Sequence, residues 1–243
     1  MKNKQLDEDS KQTKIRNFDP NGIGHPNGNL FGLPLTPEES EVVVIPVPWD
    51  VTASSRLGTA YAPETILKAS YQIDLFDSAL HNVWKMGIGM LPISYEWQKR
   101  NTALRRKAKK VIQHLERGGK AENQKVSALV EEINASSASL GAWVREIATK
   151  WLKTGKIVGI LGGDHSVPLG LMEALGEEHH YGILHIDAHL DLRLAYEGFL
   201  YSHASIMRNA SGISAIERFV HVATRDFCEE EYEVVKSSKG RHY

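Results

Sequence analysis

Two short apolar segments separated by a helical pattern most constrain how this chain of 243 residues can fold. Lys156–Leu161 and Tyr181–Ile186 have the length and composition of buried strands, and Val167–Leu175 between them has the pattern of a helix. Further strands are predicted at Glu41–Pro48 and Phe219–Ala223, with helical segments between them. Strands that alternate with helices predict a three-layer α/β/α fold with a mainly parallel sheet.

Three side chains of the kind that bind metal ions follow the second of these strands at a spacing of two residues. They are Asp187, His189 and Asp191, in the sequence YGILHIDAHLDLR at 181–193. In an extended backbone such residues point to the same face, so two carboxylates and an imidazole would converge. This combination suits divalent ions such as manganese, nickel, iron or zinc. The alternative is a solvated loop, which one Asp or His would favour but three in register do not.

A further candidate ligand, His165, follows the first strand in the turn GGDHS at 162–166. Sites in open parallel α/β sheets lie at the carboxyl ends of strands, so His165 can face the other ligands if the two strands are neighbours. Asp164 could then accept a hydrogen bond from the histidine ring. A lone histidine after a Gly-Gly turn is more often a surface residue. The nearby DAHLD sequence favours a metal site for His165 instead.

Composition argues against several other classes of protein. The net charge of −1 provides no basic field that would favour nucleic acid. The single cysteine, Cys228, excludes an internal disulfide and fits a reducing cytoplasm. No stretch approaches the roughly 18 apolar residues of a membrane span, and the charged N-terminus does not resemble a secretory signal. We therefore expect a cytoplasmic protein that binds neither nucleic acid nor membranes.

The sequence predicts one domain at 21–243, preceded by a polar and disordered tail at 1–20. Basic residues at about 95–120 predict a polar helical insertion within this domain.

Taken together, the GGDHS and DAHLD motifs resemble those of the ureohydrolase family, which includes arginases, agmatinases and formimidoylglutamases. The sequence VIPVPWDVTASSRLGTAYAPETIL at 44–67 is similar to agmatinase-type and guanidine-hydrolase-type members. The resemblance covers about residues 17–240. It implies an arginase-like fold, a site for two Mn²⁺ ions (nickel in some guanidine hydrolases), and release of urea from a guanidino group.

The resemblance also implies roles for the metal-ligand candidates. His165 matches the family's first histidine ligand, and Asp187 matches the carboxylate that bridges the two ions. His189 matches a ligand of the second ion and Asp191 a ligand of the first.

Two residues are expected to be catalytic on the same grounds. The segment SHASIMRNA at 202–210 is similar to the family's SHG-type segment, which makes His203 the expected proton carrier. The alternative for His203 is a structural histidine at the start of a helix. Ala204 stands where the family usually has glycine. Asp191 is expected to orient the attacking water or to bind the guanidinium in addition to its metal.

The end of the sequence departs from the family pattern. Family members carry two further aspartates at a spacing of two on a later strand, and this sequence reaches Tyr243 without them. We therefore expect a C-terminally truncated, incomplete domain, either a fragment or a frameshifted product. Phe219–Ala223 should then be an uncovered edge strand.

The expected substrate is agmatine, hydrolysed to putrescine in polyamine metabolism. The alternatives are guanidine or another guanidino or formimino compound, a zinc-only hydrolase, and a non-catalytic homologue that joins full-length subunits. The family resemblance implies a homo-oligomer, either a trimer or a hexamer.

Overall fold

The computed structural model describes the backbone of residues 2–243 and the side chains of residues 9–243. Within this part of the chain five strands alternate with helices. The strands are β1 (Val42–Val47), β2 (Ile88–Met90), β3 (Ile157–Gly162), β4 (Tyr181–Ile186) and β5 (Ile216–Val222). The α-helices are α1 (Lys2–Asn17), α2 (Ala62–Ser70), α3 (Tyr95–Glu116), α4 (Gln124–Leu152), α5 (Leu169–Leu175), α6 (Ile206–Ala210) and α7 (Glu229–Ser237). Short 3₁₀ turns span Leu30–Gly32, Thr59–Tyr61, Val83–Met86 and His203–Ser205.

The strands form two parallel sheets, so the predicted α/β class with parallel strands is confirmed. One sheet has the order β2-β1-β3 and the other consists of β4 and β5. The expectation that β3 and β4 are neighbours in one sheet is wrong, because they belong to different sheets. Each of them is therefore an edge strand among the described residues, with one row of backbone groups unpaired.

β1 is the central strand of the larger sheet, and its sequence explains how it can contain a proline. Val43, Ile45 and Val47 are buried, as expected for a β-branched run covered by helices. β2 pairs only with the segment from Val42 to Val44, so Pro46 lies beyond the end of β2. The missing N–H of the proline therefore removes no hydrogen bond from the sheet.

Helix α3 lies at the predicted polar helical insertion, and it is an amphipathic helix whose apolar face packs in the main core. Its apolar residues recur at helical spacing and are buried against β1 and α4. The buried residues of α3 are Trp97, Leu104, Ala108, Val111 and Ile112. The basic residues that suggested an insertion occupy the opposite face of an amphipathic helix.

The first residues also differ from the expected disordered tail, because a helix spans Lys2–Asn17. This segment contains no proline or glycine, and its Lys14 forms a 2.8 Å ion pair with Glu39. None of the helices within residues 2–243 combines the length and apolar character that a membrane span requires.

The last residues add a strand-like segment to β5, so the prediction of an uncovered edge at Phe219–Ala223 is wrong. The Phe219 amide donates to the Arg241 carbonyl at 2.8 Å, and the His221 amide donates to the Tyr243 carbonyl at 2.8 Å. The Arg241 guanidinium donates to three carbonyl groups, which belong to Ser211, Ile213 and Ile216.

Apolar side chains are exposed at the edges that remain open. Ile157 of β3 is 59% exposed, and Leu184 and Ile186 of β4 are 65% and 70% exposed.

Candidate metal centre

Four potential ligand side chains converge where β3 and β4 end. His165, His185, Asp187 and Asp191 each offer one ligand atom, and these atoms lie within 4.8 Å of one another. The structure thus brings together three of the four ligands predicted from the sequence and adds His185. His165 lies in the turn after β3, His185 lies within β4, and the two aspartates follow β4.

Asp187 is the central residue of this group. Its Oδ2 lies 3.5 Å from His165 Nδ1 and 3.9 Å from His185 Nε2. Its Oδ1 lies 3.2 Å from His189 Nδ1. The two carboxylate oxygens therefore face different histidines.

His189 lies beside the compact group rather than within it. Its side chain is 58% exposed, and its Nε2 lies 3.9 Å from Asp226 Oδ2. Apart from Asp187, its close neighbours are thus the residues that follow β5.

The backbone of the segment after β4 explains how Asp191 reaches His165. Asp191 has a positive φ of 53°, which is unusual for a residue other than glycine. Its carbonyl accepts hydrogen bonds from Met207 and Arg208 of α6, at 3.0 and 3.1 Å. These bonds hold the strained conformation. The buried Asp191 carboxylate then lies 2.8 Å from His165 Nδ1.

The turn after β3 depends on Gly163. A Cβ at this position would lie 1.7 Å from the Trp49 carbonyl oxygen, so any other residue would push the turn away from the segment that follows β1.

Asp164 does not play the predicted part of orienting a histidine ring. Its buried carboxylate accepts hydrogen bonds from the Ser166 backbone and hydroxyl groups and from Thr52. Burial raises its pKa in spite of these bonds. Asp164 therefore stabilises the turn, and His165 finds its carboxylate partner in Asp191 instead.

The surroundings of Asp187 and His185 keep these two side chains in forms that can bind a cation, whereas those of His165 favour its protonated form. Burial alone would lower the pKa of His165, but the hydrogen bond to Asp191 and the charges of Asp191 and Asp187 outweigh it and raise that pKa. Burial would raise the pKa of Asp187, but the backbone hydrogen bond from His189 and the nearby histidines lower it. Burial lowers the pKa of His185. Asp187 is thus ionised and His185 neutral near pH 7.

The donor set fits a divalent cation. Two carboxylates and two imidazoles supply both the negative charge and the nitrogen ligands that manganese, nickel and zinc accept. The Nε2 atom of His185 is buried and has no hydrogen-bond partner in the part of the chain that the structure describes. A cation among these side chains would satisfy this nitrogen and replace the proton between His165 and Asp191.

His185 is not among the ligands predicted from the sequence, although the sequence contains a signal for it. It precedes Asp187 by two residues, so it continues the same alternating register into β4. A histidine inside an apolar strand suggests a core residue. Only the position of β4 beside the turn after β3 shows that the His185 ring faces the aspartates.

His165, Asp187, His189 and Asp191 line a cleft of about 620 Å³, which is also lined by His203 and Ala204. His203 is half-buried, with its Nδ1 3.3 Å from the Ser202 hydroxyl. Its ring centroid lies 6.0 Å from that of Tyr196. The predicted proton carrier therefore faces the same cleft as the candidate metal ligands.

Glu231 also lines this cleft, and its carboxylate has a structural role. Its carboxylate accepts hydrogen bonds from the Leu192 and Cys228 amides, at 2.9 and 3.0 Å. It thereby caps α7 and fixes the segment that follows Asp191.

Comparisons with known proteins agree with this geometry. The model of the Arginase family matches residues 40–243. An N(1)-aminopropylagmatine ureohydrolase of Thermus thermophilus is 33% identical over 192 residues, which are 72% of this chain and 49% of that protein. An agmatinase of Bacillus anthracis is 26% identical over 204 residues, which are 82% of this chain and 57% of that protein.

Among solved structures, the agmatine ureohydrolase of Thermoplasma volcanium has a similar fold, with a TM-score of 0.58 at 22% identity. The match covers 95% of this chain and 64% of that one. The chain spans about half the length of the curated relatives it matches.

Proposed function

Because the chain belongs to the arginase family, we propose that it hydrolyses a C–N bond of a guanidino group and releases urea. The proposed substrate is agmatine, which would yield putrescine, or an N-substituted agmatine. The names of the two relatives above support this choice, since one is an N(1)-aminopropylagmatine ureohydrolase and the other an agmatinase. The reaction is proposed to take place in the cytoplasm, as part of polyamine metabolism.

The observation that carries the proposal is the convergence of His165, Asp187 and Asp191 beside His203 in one cleft. A guanidinium is stabilised by resonance and is a poor electrophile, so its hydrolysis requires an activated water. Two bound divalent ions, manganese or nickel, would supply this activation by lowering the pKa of water towards neutrality. His165, His189, Asp187 and Asp191 are the proposed ligands.

The residues of the chain supply the remaining chemistry. An amine leaves the tetrahedral carbon well only after protonation, and His203 is proposed to deliver that proton from the wall of the cleft. Asp191 is held rigidly by α6, so its carboxylate is proposed to orient the attacking water or the guanidinium as well as the metal.

Acidic groups in the cleft fit a cationic substrate. Asp226 lies on the cleft wall with an exposed carboxylate, in addition to the ligand aspartates. Glu231 contributes less to this field, because it is occupied by backbone amides and lies near Arg193.

One observation favours a second candidate function, that of a non-catalytic homologue. Two divalent ions carry four positive charges, whereas the compact group contains only two carboxylates, Asp187 and Asp191. A chain with this ligand set is expected to hold about one ion firmly and to release little urea.

Metal analysis and a urea-release screen separate the two candidates. Residues 1–243 are compared with a chain lengthened by a C-terminal segment that carries two aspartates at a spacing of two. The screen includes agmatine, N(1)-aminopropylagmatine, arginine, guanidine and guanidino acids, with manganese, nickel or zinc. Urea release and a second ion appearing together in the longer chain would support the enzyme, whereas a longer chain that binds two ions and hydrolyses none of these compounds would contradict it.

A further inference from the structure

Three histidines and a serine form a continuous row of hydrogen bonds that begins at the candidate metal centre. His185 Nδ1 lies 2.9 Å from His221 Nδ1. His221 Nε2 lies 3.0 Å from His242 Nδ1. His242 Nε2 lies 3.3 Å from the Ser211 hydroxyl. The row runs from β4 through β5 to the last residues of the chain and ends at the helical turn after α6.

The far end of the row determines the direction of its hydrogen bonds. The Ser211 hydroxyl donates its only hydrogen to the Met207 carbonyl at 2.7 Å. Its oxygen can therefore only accept from His242, so His242 carries its proton on Nε2.

The same rule then applies to each neutral imidazole in turn, since each has one N–H donor and one acceptor nitrogen. His242 Nδ1 accepts from His221 Nε2, and His221 Nδ1 accepts from His185 Nδ1. Both nitrogens of His221 face nitrogens of other imidazoles, and neither His221 nor His242 has an ion-pair partner among the described residues, so a second proton on either ring would lack a counter-charge. His185 is left with its proton on Nδ1 and a lone pair on Nε2.

This lone pair points to the candidate metal centre. His185 Nε2 is buried, lies 3.9 Å from Asp187 Oδ2 and has no hydrogen-bond partner among the described residues. A buried acceptor without a donor is costly, and the neighbouring carboxylates cannot donate to it. A cation held by Asp187 and Asp191 would satisfy it.

We propose that His185 is a metal ligand through Nε2, and that His221 and His242 are positioning residues that hold its ring in the required tautomer. This inference rests on the proposed metal centre and not on the substrate. It gives the compact site two carboxylates and two imidazoles around one ion, and it gives the C-terminal segment of the chain a direct connection to that ion.

The tautomer is tested first, in the metal-free protein. Long-range ¹H–¹⁵N correlation spectra distinguish an Nδ1–H from an Nε2–H imidazole, and His185→Asn identifies the signals of residue 185. The Nδ1–H form is expected for His185 and the Nε2–H form for His221 and His242. An Nε2–H form of His185 would overturn the proposal.

The ligand is tested by titration with Co²⁺, followed by visible absorption. His185→Asn retains a side-chain amide that can donate to His221 but has no second nitrogen to bind metal. It is expected to weaken Co²⁺ binding at least tenfold and to shift the absorption bands, and His242→Ala is expected to weaken binding by about tenfold, as loss of an orienting partner does. The control is His180→Ala, which removes an exposed histidine at the other end of β4 and should bind like the wild type.

The outcomes separate this inference from the proposed function. Wild-type protein that binds Co²⁺ with the same affinity and spectrum as His185→Asn would overturn the inference alone. Wild-type protein that binds no Co²⁺ would overturn the metal centre and the inference together. Circular dichroism of each variant shows that the comparison is between folded proteins.

Discussion

At the scale of single residues, Asp187 faces more of the candidate ligands than Asp191 does. Its two oxygens face His165 and His185 on one side and His189 on the other, whereas Asp191 contacts His165. We expect Asp187→Ala to lose bound metal more completely than Asp191→Ala, measured as metal per chain after dialysis. The matched control is Asp226→Ala, which removes an exposed carboxylate from the same cleft and should retain metal. Equal loss in the two ligand variants would contradict a bridging role for Asp187.

His203 is expected to act on proton transfer without holding the ion. It lines the cleft but is not a member of the group whose ligand atoms lie within 4.8 Å of one another. His203→Ala should therefore keep the metal content of the parent protein and lower the rate of urea release by about 10²–10⁴-fold. Metal content and the rate of urea release are both measured in whichever of the two chains, residues 1–243 or the lengthened chain, releases urea. His179→Ala is the surface control. Loss of metal from His203→Ala would show that His203 is a ligand instead.

At the scale of secondary-structure elements, the Arg241 side chain adds several hydrogen bonds to the backbone pairing that attaches the segment after α7. The Arg241 guanidinium donates to the Ser211 carbonyl at 2.8 Å and to the Ile216 carbonyl at 2.6 Å. Arg241→Ala leaves these acceptors without a donor, so we expect the free energy of unfolding to fall by about 2–3 kcal/mol. The denaturation midpoint in urea measures this change, provided that the slope is unchanged. Lys236→Ala, which removes an exposed cation from α7, should stay within about 0.5 kcal/mol of the parent.

Local sequence was sufficient to predict most of the elements. β4 spans Tyr181–Ile186 as expected, because its apolar run is bounded by a turn and by polar ligands. The spacing of Asp187 and Asp191 predicted that their side chains point to one face, and each has an oxygen in the compact group that contains His165.

The remaining errors concern contacts between segments that are distant in the sequence. Nothing in the basic surface of α3 shows that its other face meets β1 and α4 in the core. Nothing local shows that Arg241–Tyr243 would pair with β5, because that pairing depends on carbonyls near α6. The periodicity of apolar residues also does not show which strands pair with β3 and β4.

At the scale of the whole molecule, the buried histidines make stability depend on pH. Burial first, and then the charges of Arg241 and Arg208, lower the pKa of His242 to about 4. Its ring also faces the neutral His221 and the Phe219 ring. In the unfolded chain the pKa of a histidine is near 6.5. Between about pH 6.5 and pH 4, residue 242 therefore binds a proton in the unfolded chain but not in the folded chain. Stability is therefore complete above this window and falls as the pH decreases through it.

The change should amount to about 1–3 kcal/mol between pH 6.5 and pH 4. His242→Asn removes the titrating group, so its stability should fall less steeply over the same range. Urea denaturation at several pH values measures both slopes, with His180→Ala as a control that keeps the buried histidines. Parallel slopes for the parent and His242→Asn would exclude His242 as the origin of the effect.

The open edges of β3 and β4 determine how fast individual amide hydrogens exchange with solvent deuterium. Ile157 and Gly163 donate their amides to the β1 side, at Glu41 and Val47. Since alternate amides of a strand point to opposite sides, those of Val158, Ile160 and Gly162 point to the open edge. On β4, Tyr181 and Asp187 donate towards β5, so the amides of Gly182, Leu184 and Ile186 point away from it.

Deuterium should therefore enter each of these strands at every second residue, within one otherwise protected segment. Amide-resolved exchange measurements would show this alternation, and uniform protection along β3 would contradict it. A polypeptide segment that hydrogen-bonds to both edges would make the pattern disappear, so the exchange rates of six amides, those of Val158, Ile160, Gly162, Gly182, Leu184 and Ile186, report directly on whether the two sheets have been joined into one.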